Sequence, residues 1–97
     1  MSYIDIMYGE EKIVNMIKVP KDRKSINILT KAINNTIKKN EIDYTKCKVF
    51  IYNENMECTH IGVIVFNMDF EKYPDPIKII QSSTVYLDLE LGRIYFS

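Results

Sequence analysis

A helical pattern covers residues 25–39, which have the sequence SINILTKAINNTIKK. Four of its apolar residues follow one another at intervals of three, four and four positions: Ile26, Leu29, Ile33 and Ile37. These intervals place the four side chains on one face of an α-helix. Ser25 is the expected N-cap, and Asn40 is the expected left-handed stop after Lys39. The chain therefore contains an amphipathic helix that needs an apolar surface to pack on.

A predicted β-hairpin precedes this helix. Residues 2–8 and 12–19 are rich in Ile, Val, Met and Tyr, and Gly9-Glu10-Glu11 separates them, which is typical of two strands joined by a short loop. Pro20 ends the second strand because it has no backbone N–H to donate to a ladder.

A second predicted strand pair follows the helix. Residues 46–53 and 56–66 are dense in Val, Ile, Phe and Tyr, and Glu54-Asn55 between them suits a two-residue turn. Residues 67–76 are the longest irregular stretch and contain two prolines. Residues 77–82 fit a short helix and a continued strand equally well.

The C-terminal residues 83–97 form a further predicted hairpin. A two-residue loop at Leu91-Gly92 pairs apolar residues on one face: Leu89 with Ile94 and Leu87 with Phe96. The predicted order is ββαββ(α)ββ. The length allows one domain, so residues 1–97 are expected to form a single compact α+β domain. Its antiparallel sheet has about six strands, with one main helix packed on one face.

The composition excludes several classes of protein. Lys+Arg and Asp+Glu each number 13, so the chain is neither a polycation that coats nucleic acid nor an acidic mimic of one. The longest apolar run, 61–66, is far shorter than the ~20 residues of a membrane helix. The N-terminus lacks a signal-peptide pattern, so we expect a cytoplasmic protein with reduced cysteines. Abundant Ile, Lys and Asn indicate an AT-rich genome, which fits low-GC bacteria, their phages and several large viruses.

The candidate chemical groups do not form a recognisable site. Cys47, Cys58 and His60 are the only soft metal ligands in the sequence. With the two-residue turn, all three share one face of their hairpin, where we expect them to fill the core and to bind no metal or other cofactor. Asp88 and Glu90 are expected to point to solvent. Since no pattern predicts a catalytic group, we expect a non-enzymatic protein.

Charge is unevenly distributed along the chain. Residues 20–48 carry eight basic and three acidic residues, whereas residues 54–76 carry one basic and five acidic residues. Three lysines fall on the helix face opposite to the apolar residues: Lys24, Lys31 and Lys38. Ile28 lies on this outer helix face as well. A solvated helix face explains the lysines most simply.

Two features of the sequence indicate a protein partner. Strand 46–53 is apolar on both faces, so a second copy of the chain or another protein is expected to cover one of them. The irregular loop combines aromatic residues with acidic charge, and its prolines lower the cost of ordering it on binding. The predicted partner-binding residues are Asp69, Phe70, Glu71, Tyr73 and Asp75 in the loop, with Phe50 and Tyr52 in the strand.

The sequence thus predicts a small protein-binding module that acts by occupying a macromolecular surface, with a homodimer through the sheet as one form. Phage or mobile-element inhibitors of host defence proteins have this character. The first alternative is a nucleic-acid-binding protein that uses Lys24, Lys31 and Lys38, with sheet aromatics stacking on bases. The second is a small-molecule binder or hydrolase with a pocket between helix and strands, although no polar cluster marks one. No membrane partner is expected.

Overall fold

The computed structural model describes residues 1–68 and 83–96, and it contains an α-helix and a six-stranded β-sheet. The elements in chain order are β1 (Tyr3–Tyr8), β2 (Glu11–Lys18), α1 (Arg23–Lys39), a 3₁₀ turn (Tyr44–Lys46), β3 (Cys47–Tyr52), β4 (Cys58–Val65), β5 (Thr84–Asp88) and β6 (Arg93–Phe96). The predicted α+β class, the six strands and the packing of one main helix on the sheet are confirmed. The undecided segment 77–82 lies outside the described residues.

The described strands lie in the order β2-β1-β3-β4-β5-β6, so β2 and β6 form the edges of the sheet. Neighbouring strands are antiparallel except β4 and β5, which run parallel with Val63 opposite Tyr86. The prediction of a wholly antiparallel sheet is wrong at this pair. A hairpin turn cannot join parallel strands, which need a connection of a dozen or more residues. The chain between Val65 and Thr84 has that length.

One face of the sheet packs on α1 and forms the core. Because side chains alternate along a strand, the core-facing residues of the central strands are buried together with two residues of the helix: Ile4, Ile6, Val49, Ile51, Leu87, Ile33 and Ile37. Burial of each such side chain is worth about 1.5–3 kcal/mol, so this layer makes a large contribution to folding. None of the described helices is long and apolar enough to cross a membrane.

The ends of α1 differ by a few residues from the prediction. Asp22, not Ser25, is the N-cap, because its carboxylate accepts the backbone N–H of Ser25 at 2.9 Å. Asn40 follows the helix with a φ of −97°, and the left-handed residue is Glu41, with a φ of +53°. Asn40 still satisfies the end of the helix, since its backbone and side-chain N–H groups both donate to the carbonyl of Thr36.

The β3–β4 hairpin has a longer loop than predicted. The Asn53 N–H donates to the Glu57 carbonyl at 3.0 Å, so three residues form the loop, and Met56 takes a φ of +64°. A β-bulge then adds one more residue to β4, between the pairs Tyr52–Cys58 and Ile51–His60. The additional loop residue shifts the pairing by one position, so Cys58 lies on the other face of the sheet, where it is exposed. The bulge residue shifts the pairing by one more position, so His60 lies on the predicted face.

Cys47 is buried as expected. The predicted shared face of Cys47, Cys58 and His60 is therefore wrong for Cys58, and the two thiols lie on opposite faces of the sheet.

The β5–β6 hairpin is shifted by two residues from the predicted register. Leu87 pairs with Ile94, and Asp88 pairs with Arg93, which leaves a four-residue loop at 89–92. A shift of two residues keeps every side chain on its predicted face, so Leu87 and Ile94 still point to the helix. The expectation that Asp88 points to solvent is wrong, because Asp88 is fully buried.

The Asp88 carboxylate explains the longer loop. It accepts the backbone N–H groups of Glu90 and Leu91 within the loop at 3.0 and 2.9 Å. It also accepts those of Asn67 and Met68, directly after β4, at 3.1 and 2.6 Å. One carboxylate thus serves as the acceptor for four backbone N–H groups that lie outside the strands.

The backbones of β4 and β5 approach each other closely at Gly62. Gly62 lies opposite Val85, and a Cβ atom built on it would be 1.6 Å from the Val85 carbonyl oxygen. Only glycine fits at this position, which explains the glycine within the apolar run 61–66.

Candidate partner-binding surfaces

The sheet face that points away from α1 carries an apolar patch. Phe50 pairs directly with Ile61 on the neighbouring strand, Tyr52 lies two residues along from Phe50, and Val63 lies two residues along from Ile61. Ile61 is 55% exposed and Val63 is 40% exposed, while Phe50 and Tyr52 are half-buried. We call Phe50, Tyr52, Ile61 and Val63 the outer sheet face.

Phe50 and Tyr52 were predicted partner-binding residues, and the structure brings them together on this surface. Ile61 and Val63 were not singled out. The apolar run 61–66 has no polar residue to alternate with, so its pattern does not show which side chains face away from the helix.

Basic groups lie beside the outer sheet face. Lys48 is exposed and lies opposite Met7 of β1. Asp5, opposite Phe50, is buried, and its carboxylate accepts the N–H of Met16 and lies 3.3 Å from the Lys12 ammonium. The Asp5 carboxylate is thus already paired, while the charge that Lys48 presents to solvent is positive.

The outer helix face lies on the opposite side of the molecule. Three lysines, Lys24, Lys31 and Lys38, are exposed there, and Ile28 among them is 62% exposed. The helix body and the sheet separate these lysines from Phe50 and Tyr52. A single nucleic-acid strand therefore cannot contact the lysines and stack on these aromatic rings at the same site.

The predicted loop site lies outside the described residues. This applies to all of its members: Asp69, Phe70, Glu71, Tyr73 and Asp75.

The thiols and the imidazole do not assemble into a reactive site. Burial, together with the nearby charge of Asp43, raises the pKa of the Cys47 thiol, which disfavours the nucleophilic thiolate. The His60 ring packs edge-on against Phe96 with centroids 5.2 Å apart. Across residues 1–68 and 83–96, no group of three or more His, Cys, Asp or Glu side chains could hold a metal ion.

Clefts flank α1 on both sides. One of about 360 Å³ lies between α1 and β2 and is lined mainly by apolar residues such as Ile17 and Leu29. Another, of about 230 Å³, lies between the start of α1 and β6 and is lined by Arg23 and Arg93.

Comparisons of the chain with known protein families, with curated proteins and with solved structures give no match.

Proposed function

We propose that this protein is a non-enzymatic protein-binding module that acts by occupying a surface of another macromolecule. The observation that carries the proposal is the outer sheet face, where Ile61 and Val63 are exposed beside Phe50 and Tyr52. Contiguous exposed apolar side chains mark interaction sites. Tyrosine and phenylalanine are also enriched in interfaces, where they act as anchors.

The partner that fits this surface is a protein with an apolar centre and acidic groups at its rim, because Lys48 lies at the edge of the patch. A second copy of the chain is one form of such a partner, since two sheets can pack face to face about 10 Å apart. We place the protein in a cytoplasm, in agreement with two thiols that form no disulfide. More specifically, we propose that the protein is an inhibitor encoded by a phage or another mobile element.

The test replaces Ile61 and Val63 by serine and compares this double variant with Ile28→Ser. Ile28 is a matched control because it is an aliphatic residue, exposed to 62%, on the opposite side of the molecule. Tagged wild-type and variant proteins are used to capture partners from a lysate of the source cells. Binding of the captured partner is then measured by calorimetry with purified components, and light scattering records self-association.

We expect the Ile61→Ser, Val63→Ser variant to lose about 2 kcal/mol or more of binding free energy, as loss of interface anchors does. The Ile28→Ser variant should bind like the wild type. Equal binding by all three proteins contradicts the proposal. A different outcome supports nucleic-acid binding by the outer helix face instead. In that case nuclease treatment removes the captured material, and only the variant with Lys31→Glu and Lys38→Glu fails to capture it.

A further inference from the structure

The only two arginines of the sequence line the same cleft. Arg23 begins α1 and Arg93 begins β6, yet both contribute to the cleft of about 230 Å³, together with Lys21. We call Lys21, Arg23 and Arg93 the basic cleft. Within the described part of the chain, none of these three side chains forms an ion pair. Three unpaired cations around one cleft favour an anionic ligand.

Two of the acidic residues near the basic cleft are already engaged. Asp22 adjoins it in the chain, but its carboxylate caps α1 by accepting the N–H of Ser25. Asp88 pairs in register with Arg93, but its carboxylate is buried and accepts four backbone N–H groups. Within the described residues neither carboxylate forms an ion pair with the arginines, so both guanidinium groups stay available to a ligand.

The cleft runs along the edge of the sheet. Arg93 and Ile94 are consecutive residues of β6, so their side chains point to opposite faces, yet both line the cleft. Four consecutive residues, Gly92 to Tyr95, line the cleft, so it runs along β6. β6 is an edge strand of the described sheet. Edge strands present N–H and C=O groups to which an extended peptide can add.

The cleft continues into a second one. An adjoining cleft of about 310 Å³ shares Lys21, Ile26 and Ile94 with it and is also lined by Val19 and Phe96. The combined groove thus carries the two arginines at the start of β6 and the apolar side chains of Val19 and Phe96 toward its end. This pattern fits a peptide that carries acidic residues at one end and an apolar residue a few positions away.

We infer that the β6 edge binds an extended acidic segment of a protein partner, which adds to the sheet as a further strand. Carboxylates of the segment lie on Arg23, Arg93 and Lys21, and an apolar side chain of the segment packs beside Phe96. This site is separate from the outer sheet face and goes beyond the function proposed for that face.

The test begins with a phage-displayed library of random ten-residue peptides selected against the wild-type protein. Fluorescence anisotropy then measures the affinity of the most enriched peptide for three proteins. They are the wild type, the double variant Arg23→Glu, Arg93→Glu, and the control Lys31→Glu, Lys38→Glu. The control makes the same change in net charge on the outer helix face. Amide chemical shifts of wild-type protein titrated with the peptide map its position, and thermal melts verify that each variant folds.

We expect enrichment of Asp and Glu next to alternating β-branched residues, and shifts centred on Arg93 and Ile94. The arginine variant should bind at least about 10-fold more weakly, whereas the lysine control should change affinity by less than about threefold. Proline at two consecutive positions within the peptide should abolish binding, because one of the two N–H groups that it removes faces β6 and is needed for strand addition. The inference is wrong if selection yields no acidic peptides, if both variants lose affinity equally, or if the proline peptide binds normally.

Discussion

Asp88 connects two segments of the chain that are far apart in sequence. Its carboxylate joins the β5–β6 loop to the chain that leaves β4, through two backbone N–H groups on each side. The two segments are far apart in sequence and meet because β4 and β5 run side by side. A buried carboxylate that accepts several N–H groups stabilises such a junction more than a neutral acceptor does, since hydrogen bonds to charged groups are the stronger ones.

Replacement of Asp88 by asparagine should destabilise the fold by about 3 kcal/mol. The variant retains one carbonyl oxygen, but its amide group meets a backbone N–H that needs an acceptor. Urea denaturation followed by circular dichroism measures the change in unfolding free energy. Glu90→Gln is the matched control, because Glu90 is exposed in the same loop and should cost less than about 0.5 kcal/mol. Equal stability of both variants would refute the role of Asp88.

At the scale of the element, α1 begins at a capped turn that depends on ionisation. The pKa of Asp22 lies below its ordinary value of 3.8, because the carboxylate accepts hydrogen bonds from Ser25, first of all from its backbone N–H. A carboxyl group whose pKa is lower in the folded than in the unfolded chain stabilises the fold above the unfolded pKa. This stabilisation is lost as the pH falls through the folded pKa.

The Asp22→Asn variant tests this pH dependence, because asparagine still caps a helix but does not titrate. At pH 7 the wild type should melt at a higher temperature than the variant. The difference should shrink between about pH 5 and about pH 2, as Asp22 becomes protonated. Asp43, whose pKa is lowered by hydrogen bonds from Thr45, titrates in both proteins and cancels in the comparison. A difference in melting temperature that is constant with pH would contradict the assignment.

At the scale of the whole molecule, the two thiols report on different parts of the fold. Cys58 is exposed beside the β3–β4 loop, whereas Cys47 is buried in the core that α1 covers. Cys47 becomes accessible only when the core opens, and burial raises the pKa of its thiol, which lowers its reactivity further. The two cysteines therefore distinguish surface access from unfolding in one protein.

With a coloured disulfide reagent at pH 8, we expect one thiol per native chain to react quickly and one to react slowly. Cys58→Ser should remove the fast phase, and Cys47→Ser should remove the slow one. Addition of urea should accelerate only the Cys47 phase, because this phase follows the population of the open state. Two fast thiols in the native wild-type protein would show that Cys47 is not held in the core.

Local patterns in the chain were enough to predict the elements and most of the core. The spacing of Ile33 and Ile37 identified the buried helix face, and alternation in β3 correctly separated Val49 from Phe50. Both inferences succeed because helix and strand periods are properties of neighbouring residues. For the same reason, half of the outer sheet face could be anticipated. Ile61 and Val63 could not, because their strand is apolar at every position.

Register, strand order and the environment of charged groups depended on contacts between distant segments. Loop length and a β-bulge placed Cys58 on the exposed face, and four backbone donors drew Asp88 into the interior. Arg23 and Arg93 share a cleft only because β6 lies beside the start of α1. Neither the exact length of a loop nor the need of a buried N–H for an acceptor can be recognised from the spacing of apolar residues in the sequence. Such features arise only when the packed chain must satisfy all of its buried backbone groups together.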